Sequence, residues 1–445
     1  MLWPDEIWPQ DIGAVVVLDG GGLLDGGGRF PIETARRTVA GRLHLVPRFR
    51  QLLHIPPRRL GGPLWVDAPT FDIRQHVQEY AVPAPGGEEQ LLLAIEQLRR
   101  RRLDRSRPLW EMWFLTGLAD GAVAMFVRMH HCIADGMAGV ATMVSFLDLA
   151  PDAVPSPPEP WTPSAMPTEA ALLADFRARR RATARARLSA LAHPVRGLRR
   201  TFRAWPAVRE LLADRPLAAT SLDRVVGQDR KLSLVRSELQ TVRDIAHAHG
   251  AKVNDVLLAA IAGGLRALFS SRRELVEGGM VRIYVPVSLH QGERTAARGN
   301  LIAQMVVPLP VGTPDPDARL RQIARETAER KAKVRPSLGK VPHRGRAGRA
   351  FLKLVDRQRV NVSSADIPGP DVPLYFAGAQ LLEVFPMVQL LGKNSLTVGA
   401  MSYAGRFSMM VVADRDAYPD LDLFTTGMRA ELAALQRELR TPVLA

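Results

Sequence analysis

The chain has 445 residues, 47% of them apolar, which suits a globular protein of roughly two to three domains. It has no uninterrupted apolar run of about eighteen residues, and its start, MLWPDEIWPQD, lacks the basic and apolar regions of a signal peptide. A single cysteine, Cys132, excludes an internal disulfide framework, and no His/Cys spacing suggests zinc, so a reducing, intracellular compartment is expected. The net charge of +15 is regional: eleven arginines and no acid lie between Arg177 and Arg209, which leaves +4 (15 − 11) for the rest. No helix-turn-helix, zinc finger or aromatic-interleaved basic strand accompanies them, so nucleic acid is not an expected partner.

In chain order, the run Ala14 to Leu18 predicts a first strand, and the glycine-rich LDGGGLLDGGGRF predicts a loop leading to a helix near Ile32. That loop matches neither G-x-x-x-x-G-K-[ST] nor G-x-G-x-x-G, so it is not a phosphate loop. Leu91, Leu92, Ile95 and Leu98 recur at helical spacing between Glu88 and Arg102. A buried strand is expected over Ala122 to Met129, then the segment HHCIADG, then a helix with Asp135 near its N-cap. Residues 151–167 are proline-dense and read as a linker or crossover. The arginine-rich stretch beyond places Leu188, Leu191, Val195, Leu198, Phe202 and Trp205 at spacings of three or four, broken by Pro194 and Pro206. This basic amphipathic helix suits either an anionic membrane face or packing on the protein.

The second half alternates again. KVNDVLLAAIAGGLRALF predicts a helix, VRIYVPVSL and IAQMVVPLP buried strands, and DPDARLRQIARETAERKAK a helix with an acidic start and basic finish. SLGKVPHRGRAGRA is expected to be poorly ordered. A strand, Pro-Gly turn and strand follow, then a hairpin about Ala404 and Gly405 and a terminal helix.

The chemistry concentrates at His130, His131, Asp135 and Gly136. Attack of a neutral hydroxyl on a thioester needs removal of its proton as the new bond forms. A neutral imidazole at the end of a rigid strand does this near neutral pH and returns the proton to the departing thiolate. An acyl-enzyme is then unnecessary, in agreement with the absence of a G-x-S-x-G elbow. Asp135 is assigned to structure, as a cap and arginine partner, and Gly136 to close backbone approach. Cys132 is not assigned as a nucleophile, because no second base is indicated for it.

Around these residues the chain resembles the wax ester synthase/diacylglycerol acyltransferase family, within the larger group of acyltransferases that share HHxxxDG. The supporting segments are RLHLVPRFRQLL (42–53), PLWVDAPTFDIRQHV (63–77), RSRPLWEMW (105–113), KVNDVLLA (252–259), Gly299 and Asn300, IPGP (367–370) and SYAG (402–405). The resemblance implies an α/β (α+β) fold of two chloramphenicol-acetyltransferase-like domains, with a tunnel between them for acyl-CoA and a hydroxyl acceptor. It implies His131 as the catalytic base, with His130, Asp135 and Gly136 as structural members of the motif. Pro108, Leu109 and Trp110 are candidates for the substrate tunnel, with packing as the alternative. Asn254 and Asp255 are candidates for the active-site wall or an oxyanion contact, with a helix cap as the alternative. Ala365 and Asp366 stand where the family tends to show Ser/Thr and Asn.

The expected organisation is an N-terminal acyltransferase domain over 1–150, a crossover with the arginine-rich helix over 151–215, and a C-terminal acyltransferase domain over 216–445. The expected activity is acyl-CoA-dependent esterification of diacylglycerol, of a long-chain alcohol, or of both. No metal and no permanently bound cofactor are anticipated, and acyl-CoA is a substrate. Two other readings stand beside it: a related enzyme acting on a polyketide or glycolipid hydroxyl, and a degenerate paralogue that only binds lipid or membrane. The expected location is cytoplasmic, peripheral on the inner membrane face or on lipid droplets.

Overall fold

A computed structural model describes residues 8–57, 60–134, 136–154, 157–192, 219–288, 302–333 and 360–440. The expected apolar runs form two six-stranded sheets. In the first, β11 (Tyr375–Phe376), β12 (Ala379–Met387), β1 (Asp11–Leu18), β6 (Val123–His130), β5 (Trp110–Thr116) and β4 (Val77–Ala81) lie side by side in that order. In the second the order is β7 (Arg230–Glu238), β14 (Arg406–Asp414), β13 (Leu396–Tyr403), β10 (Val360–Pro368), β8 (Val281–Ser288) and β9 (Ile302–Leu309). A hairpin of β2 (Gln51–His54) and β3 (Leu64–Asp67) stands apart from both.

Eight helices are described. They are α1 (Ile32–Ala40), α2 (Glu88–Arg100), α3 (Gly136–Val144), α4 (Glu169–Ala192), α5 (Leu239–Ala248), α6 (Val253–Ser271), α7 (Pro316–Lys333) and α8 (Leu421–Arg440). Their amphipathic faces build three cores. One lies between the second sheet and α5, α6, α7 and α8, centred on Leu257, Ile261, Val398, Phe424 and Met428. A second backs the first sheet with Phe49, Trp110, Phe114, Val127 and Phe146. The third joins the sheets through α2, whose Leu91, Ile95 and Leu98 meet Phe126 and Phe385 of one sheet and Leu234 and Met410 of the other. Helix α6 has the length and composition of a membrane span, yet most of it is buried in the protein.

Strand β6 is buried along its whole length because it is central in its sheet and covered on both faces, as its unbroken apolar sequence requires. The hairpin at Ala404 and Gly405 turns through two residues with φ of 44° and 82°, the pair of positive angles that matches strand twist.

The sequential domain division needs one amendment. Strands β11 and β12, from the C-terminal part, hydrogen-bond into the first sheet, where β12 pairs with β1 from Gly13↔Met387 to Leu18↔Leu381. The segment 216–445 therefore serves both sheets. Sequence periodicity cannot show this, because a strand's pattern is the same whichever sheet accepts it. Gly399 of β13 permits the close passage of the sheets, since a Cβ there would sit 2.2 Å from the Pro386 carbonyl oxygen of β12.

The proline-dense 157–167 is irregular, as expected, and docks on the small hairpin: the Ser164 amide donates to Asp67 at 3.0 Å and Arg50 lies 4.9 Å from the Trp161 ring centre. The basic helix begins at Glu169 and runs unbroken to Ala192, with Leu172, Leu173 and Phe176 half-buried and Leu188 exposed. The remaining apolar positions of its expected stripe, Leu191 to Trp205, lie outside the described side chains, as do Gly299, Asn300 and residues 337–350.

Candidate active site

The two histidines end β6 and receive opposite treatment. His130 faces the interior and is 3% exposed. Its backbone amide donates to the Leu109 carbonyl at 2.9 Å, and its own carbonyl accepts the Ile133 amide at 2.9 Å, which closes a tight turn. The Cys132 amide donates to His130 Nδ1 at 3.1 Å, so this nitrogen carries its lone pair and the ring braces the turn. His131 donates its backbone N–H to the Gln10 carbonyl at 2.8 Å. Its imidazole is half-buried and has no hydrogen-bond or ion-pair partner among the described residues. A fixed main chain thus carries a ring that is free to meet a ligand.

This division of labour explains the PLW segment. Pro108, Leu109 and Trp110 are all buried. The Trp110 indole stacks on Phe49 and His76 at centroid distances of 4.4 and 4.6 Å, and its N–H donates to the Phe49 carbonyl at 2.9 Å. With no exposed surface, it is a core residue and not a tunnel wall. What the segment contributes to the site is the Leu109 carbonyl that holds His130. His76 Nδ1 lies 2.8 Å from the Trp110 carbonyl, and burial holds its pKa below the ordinary histidine value.

Beneath the histidines, buried Arg128 closes the sheet end. It is 1% exposed and bonds Glu111 at 2.8 Å, Asp11 at 3.4 Å and the Arg99 carbonyl at 3.0 Å. The sequence contained a signal for this cluster, an arginine inside the apolar strand VAMFVRMH. Asp11 and Glu111 carried none, because their partnership spans three strands. Arg48 marks the outer side, stacked 4.6 Å from the Trp65 ring centre and near enough to Cys132 to feel its thiol, while burial lowers its pKa.

Helix α3 starts at Gly136, as the motif anticipates, and packs on both β1 and β10, so the motif lies where the sheets meet. Asp135 lies outside the described residues. Helix α6 carries Asn254 and Asp255, which have different fates. Asp255 is 4% exposed, and its carboxylate accepts the Lys252 amide at 2.9 Å and the Thr327 hydroxyl at 2.7 Å. It is a helix cap tied to α7, and a carboxylate with no N–H cannot donate to an oxyanion. Asn254 is half-buried, and its amide has no partner among the described residues. Replacing Asp255 with alanine is expected to cost about 1–2 kcal/mol, read by denaturant unfolding, because a cap and the buried hydrogen bond from Thr327 are lost.

Two residues that the sequence did not single out as candidates for the site share a face of β10. The Ser364 hydroxyl is buried and has no hydrogen-bond partner. The Asp366 carboxyl is half-buried, also without a partner among the described residues, and burial pushes its pKa up to about 6. Elsewhere, His249 just past the end of α5, Asp317 of α7 and Glu438 of α8 gather their ligand atoms within 4.8 Å of one another, a grouping that no spacing motif announces.

Two mixed α/β lobes that meet at the HHxxxDG motif are the architecture of a class of acyltransferases. The wax ester synthase/diacylglycerol acyltransferase catalytic-domain model matches residues 8–257, and the WS/DGAT C-terminal domain model matches residues 298–436. A probable diacylglycerol O-acyltransferase, tgs1 of Mycobacterium tuberculosis, is 30% identical over 416 residues, 91% of this chain and 88% of its own length. The fold is shared with the wax ester synthase/diacylglycerol acyltransferase of Marinobacter aquaeolei VT8, at a TM-score of 0.71 and 22% identity, covering 99% of this chain and 97% of that one. It is also shared with a starter condensation domain of rhizomide synthetase solved with C8-CoA and Leu-SNAC, at a TM-score of 0.58 and 12% identity, over 98% and 90% of the two chains. The chain belongs to the wax ester synthase/diacylglycerol acyltransferase family and is an acyltransferase.

Proposed function

We propose that the protein transfers a long acyl chain from coenzyme A to the hydroxyl of diacylglycerol or of a long-chain alcohol, with His131 as general base. One observation carries the reading: at the motif the half-buried His131 imidazole has no partner among the described residues, on a main chain pinned by the Gln10 carbonyl. The hydroxyl gives its proton to the ring as its oxygen bonds the thioester carbon. The tetrahedral species then expels the thiolate, which takes that proton back. No covalent acyl-enzyme forms. The unpartnered Asn254 amide is the candidate N–H donor to the developing oxyanion. Family membership, the diacylglycerol acyltransferase names of relatives and a C8-CoA complex of the same fold support the choice of substrates.

The direct test offers purified enzyme labelled palmitoyl-CoA with dioleoylglycerol or hexadecanol and separates the products. Label in triacylglycerol or wax ester is the expected result, and free palmitate alone would reject it. Asn254→Ala is expected to reduce kcat by about 10²–10³-fold with KM little changed, the signature of a donor used only in the transition state. Equal kcat in mutant and parent would remove the amide from the mechanism.

The reading extends to a peripheral location on the inner membrane face or on lipid droplets. Arg177, Arg180, Arg181 and Arg185 of α4 are exposed, with Leu188 beside them. Arginines on an exposed helix attract anionic headgroups at about 1 kcal/mol each. Changing these four to glutamine is expected to release the protein from phosphatidylglycerol vesicles in a flotation assay without loss of acyl transfer to detergent-dispersed acceptor. Unchanged flotation would withdraw the location.

A further inference from the structure

We infer that Ser364 and Asp366 form a polar subsite for an ester carbonyl of the glyceride acceptor and so bias the enzyme toward diacylglycerol over simple alcohols. The inference rests on the acyl-transfer reading and adds to it the residues that tell two acceptors apart.

Alternation along β10 puts Val362, Ser364 and Asp366 on one face. Their partners on β13 are Leu396, Val398 and Ala400, and these three, with Val362, belong to the core beneath α6. The face is therefore apolar except at the two polar residues, which continue it toward the end of the strand. Helix α6 returns through a short turn to β8, and β8 runs parallel to β10. The helix thus runs against both strands, and Asn254 in its first turn lies at the end of the sheet where β10 finishes. Helix α3, which starts directly after the histidine motif, packs on β10. The two polar groups consequently stand on a strand that borders both halves of the site.

Ser364 is 2% exposed, and its hydroxyl finds no partner although sheet cores normally satisfy such groups. Asp366 is half-buried and desolvated, and among the described residues it has neither a hydrogen-bond nor an ion-pair partner; its β13 neighbour is Ala400. Leaving these groups unpaired is costly, and a ligand acceptor atom relieves the cost. An alkanol brings one hydroxyl, which His131 uses. A diacylglycerol also brings two ester carbonyls, acceptors that suit the Ser364 O–H and the Asp366 acid in the fraction that its pKa of about 6 leaves protonated, a form that bonding to a carbonyl oxygen favours.

The test compares full-length wild type with Ser364→Ala, Asp366→Ala and Asp366→Asn, using palmitoyl-CoA with dioleoylglycerol or hexadecanol. The ratio of kcat/KM for glyceride over alkanol is expected to fall about three- to tenfold in each alanine variant, through KM, and to recover in Asp366→Asn, which keeps an N–H donor. An unchanged ratio, including a parallel loss for both acceptors, would overturn the proposal. Equilibrium binding of pyrene-labelled diacylglycerol and pyrene-labelled alkanol, in protein that also carries His131→Ala, makes the same comparison without turnover. A selective loss of glyceride binding supports the subsite even where the proton-transfer reading fails, and equal losses overturn it. Melting curves select folded variants, and Asp366→Asn, close in shape to the parent, supplies the comparison where an alanine variant does not fold.

Discussion

Replacing His131 with alanine is expected to lower kcat/KM for acyl transfer by about 10²–10⁴-fold, the usual contribution of a positioned general base. Folding should be unaffected. The side chain makes no hydrogen bond among the described residues, and the residue is held by its backbone N–H on the Gln10 carbonyl, which alanine retains. His130 cannot substitute for the missing base, because its ring faces inward and its Nδ1 is engaged by the Cys132 amide. Steady-state kinetics with palmitoyl-CoA, alongside melting curves, separate the two effects. Activity within tenfold of the parent, in protein that melts normally, would place the proton transfer elsewhere. The complementary change, His130→Ala, is expected to lower the melting temperature and to reduce activity indirectly, since the turn that carries His131 loses its brace.

The second large effect concerns stability. Arg128→Met should destabilise the protein by about 3–5 kcal/mol, because removing one member of a buried ion cluster leaves the others uncompensated. Asp11, 6% exposed, bears most of that cost, whereas Glu111 retains some contact with solvent. The Arg99 carbonyl would lose its donor as well. Denaturant unfolding measures the loss, and Arg128→Met combined with Asp11→Leu should recover part of it, as the buried acid is then gone. A single-variant loss below 1 kcal/mol would show that water reaches the cluster. The position matters for function because Arg128 lies two residues before His130 on the strand that aims the site.

Much of this was legible in the amino-acid sequence. The strand over β6, the helices α1, α2, α6, α7 and α8, and the Ala404–Gly405 hairpin follow from patterns of a few residues, as do the histidines at a strand end. Where the reading missed, the cause was always distance along the chain. Trp110 beside a catalytic motif reads equally as wall or as core, and only the stacking on Phe49 and His76 decides. Asp255 reads as a site residue until Thr327, on another helix, takes its second oxygen.

What the sequence determined by itself was therefore most of the elements and the family, because strand and helix periods, turn residues and a short motif are local properties of the chain. What the tertiary structure alone decided was the passage of β11 and β12 into the first sheet, the ion cluster at Arg128 and the polar face of β10. Each of these depends on which distant segments share a low-dielectric interior, where a polar group is either matched or exposed to a ligand, and no pattern within one segment encodes that match.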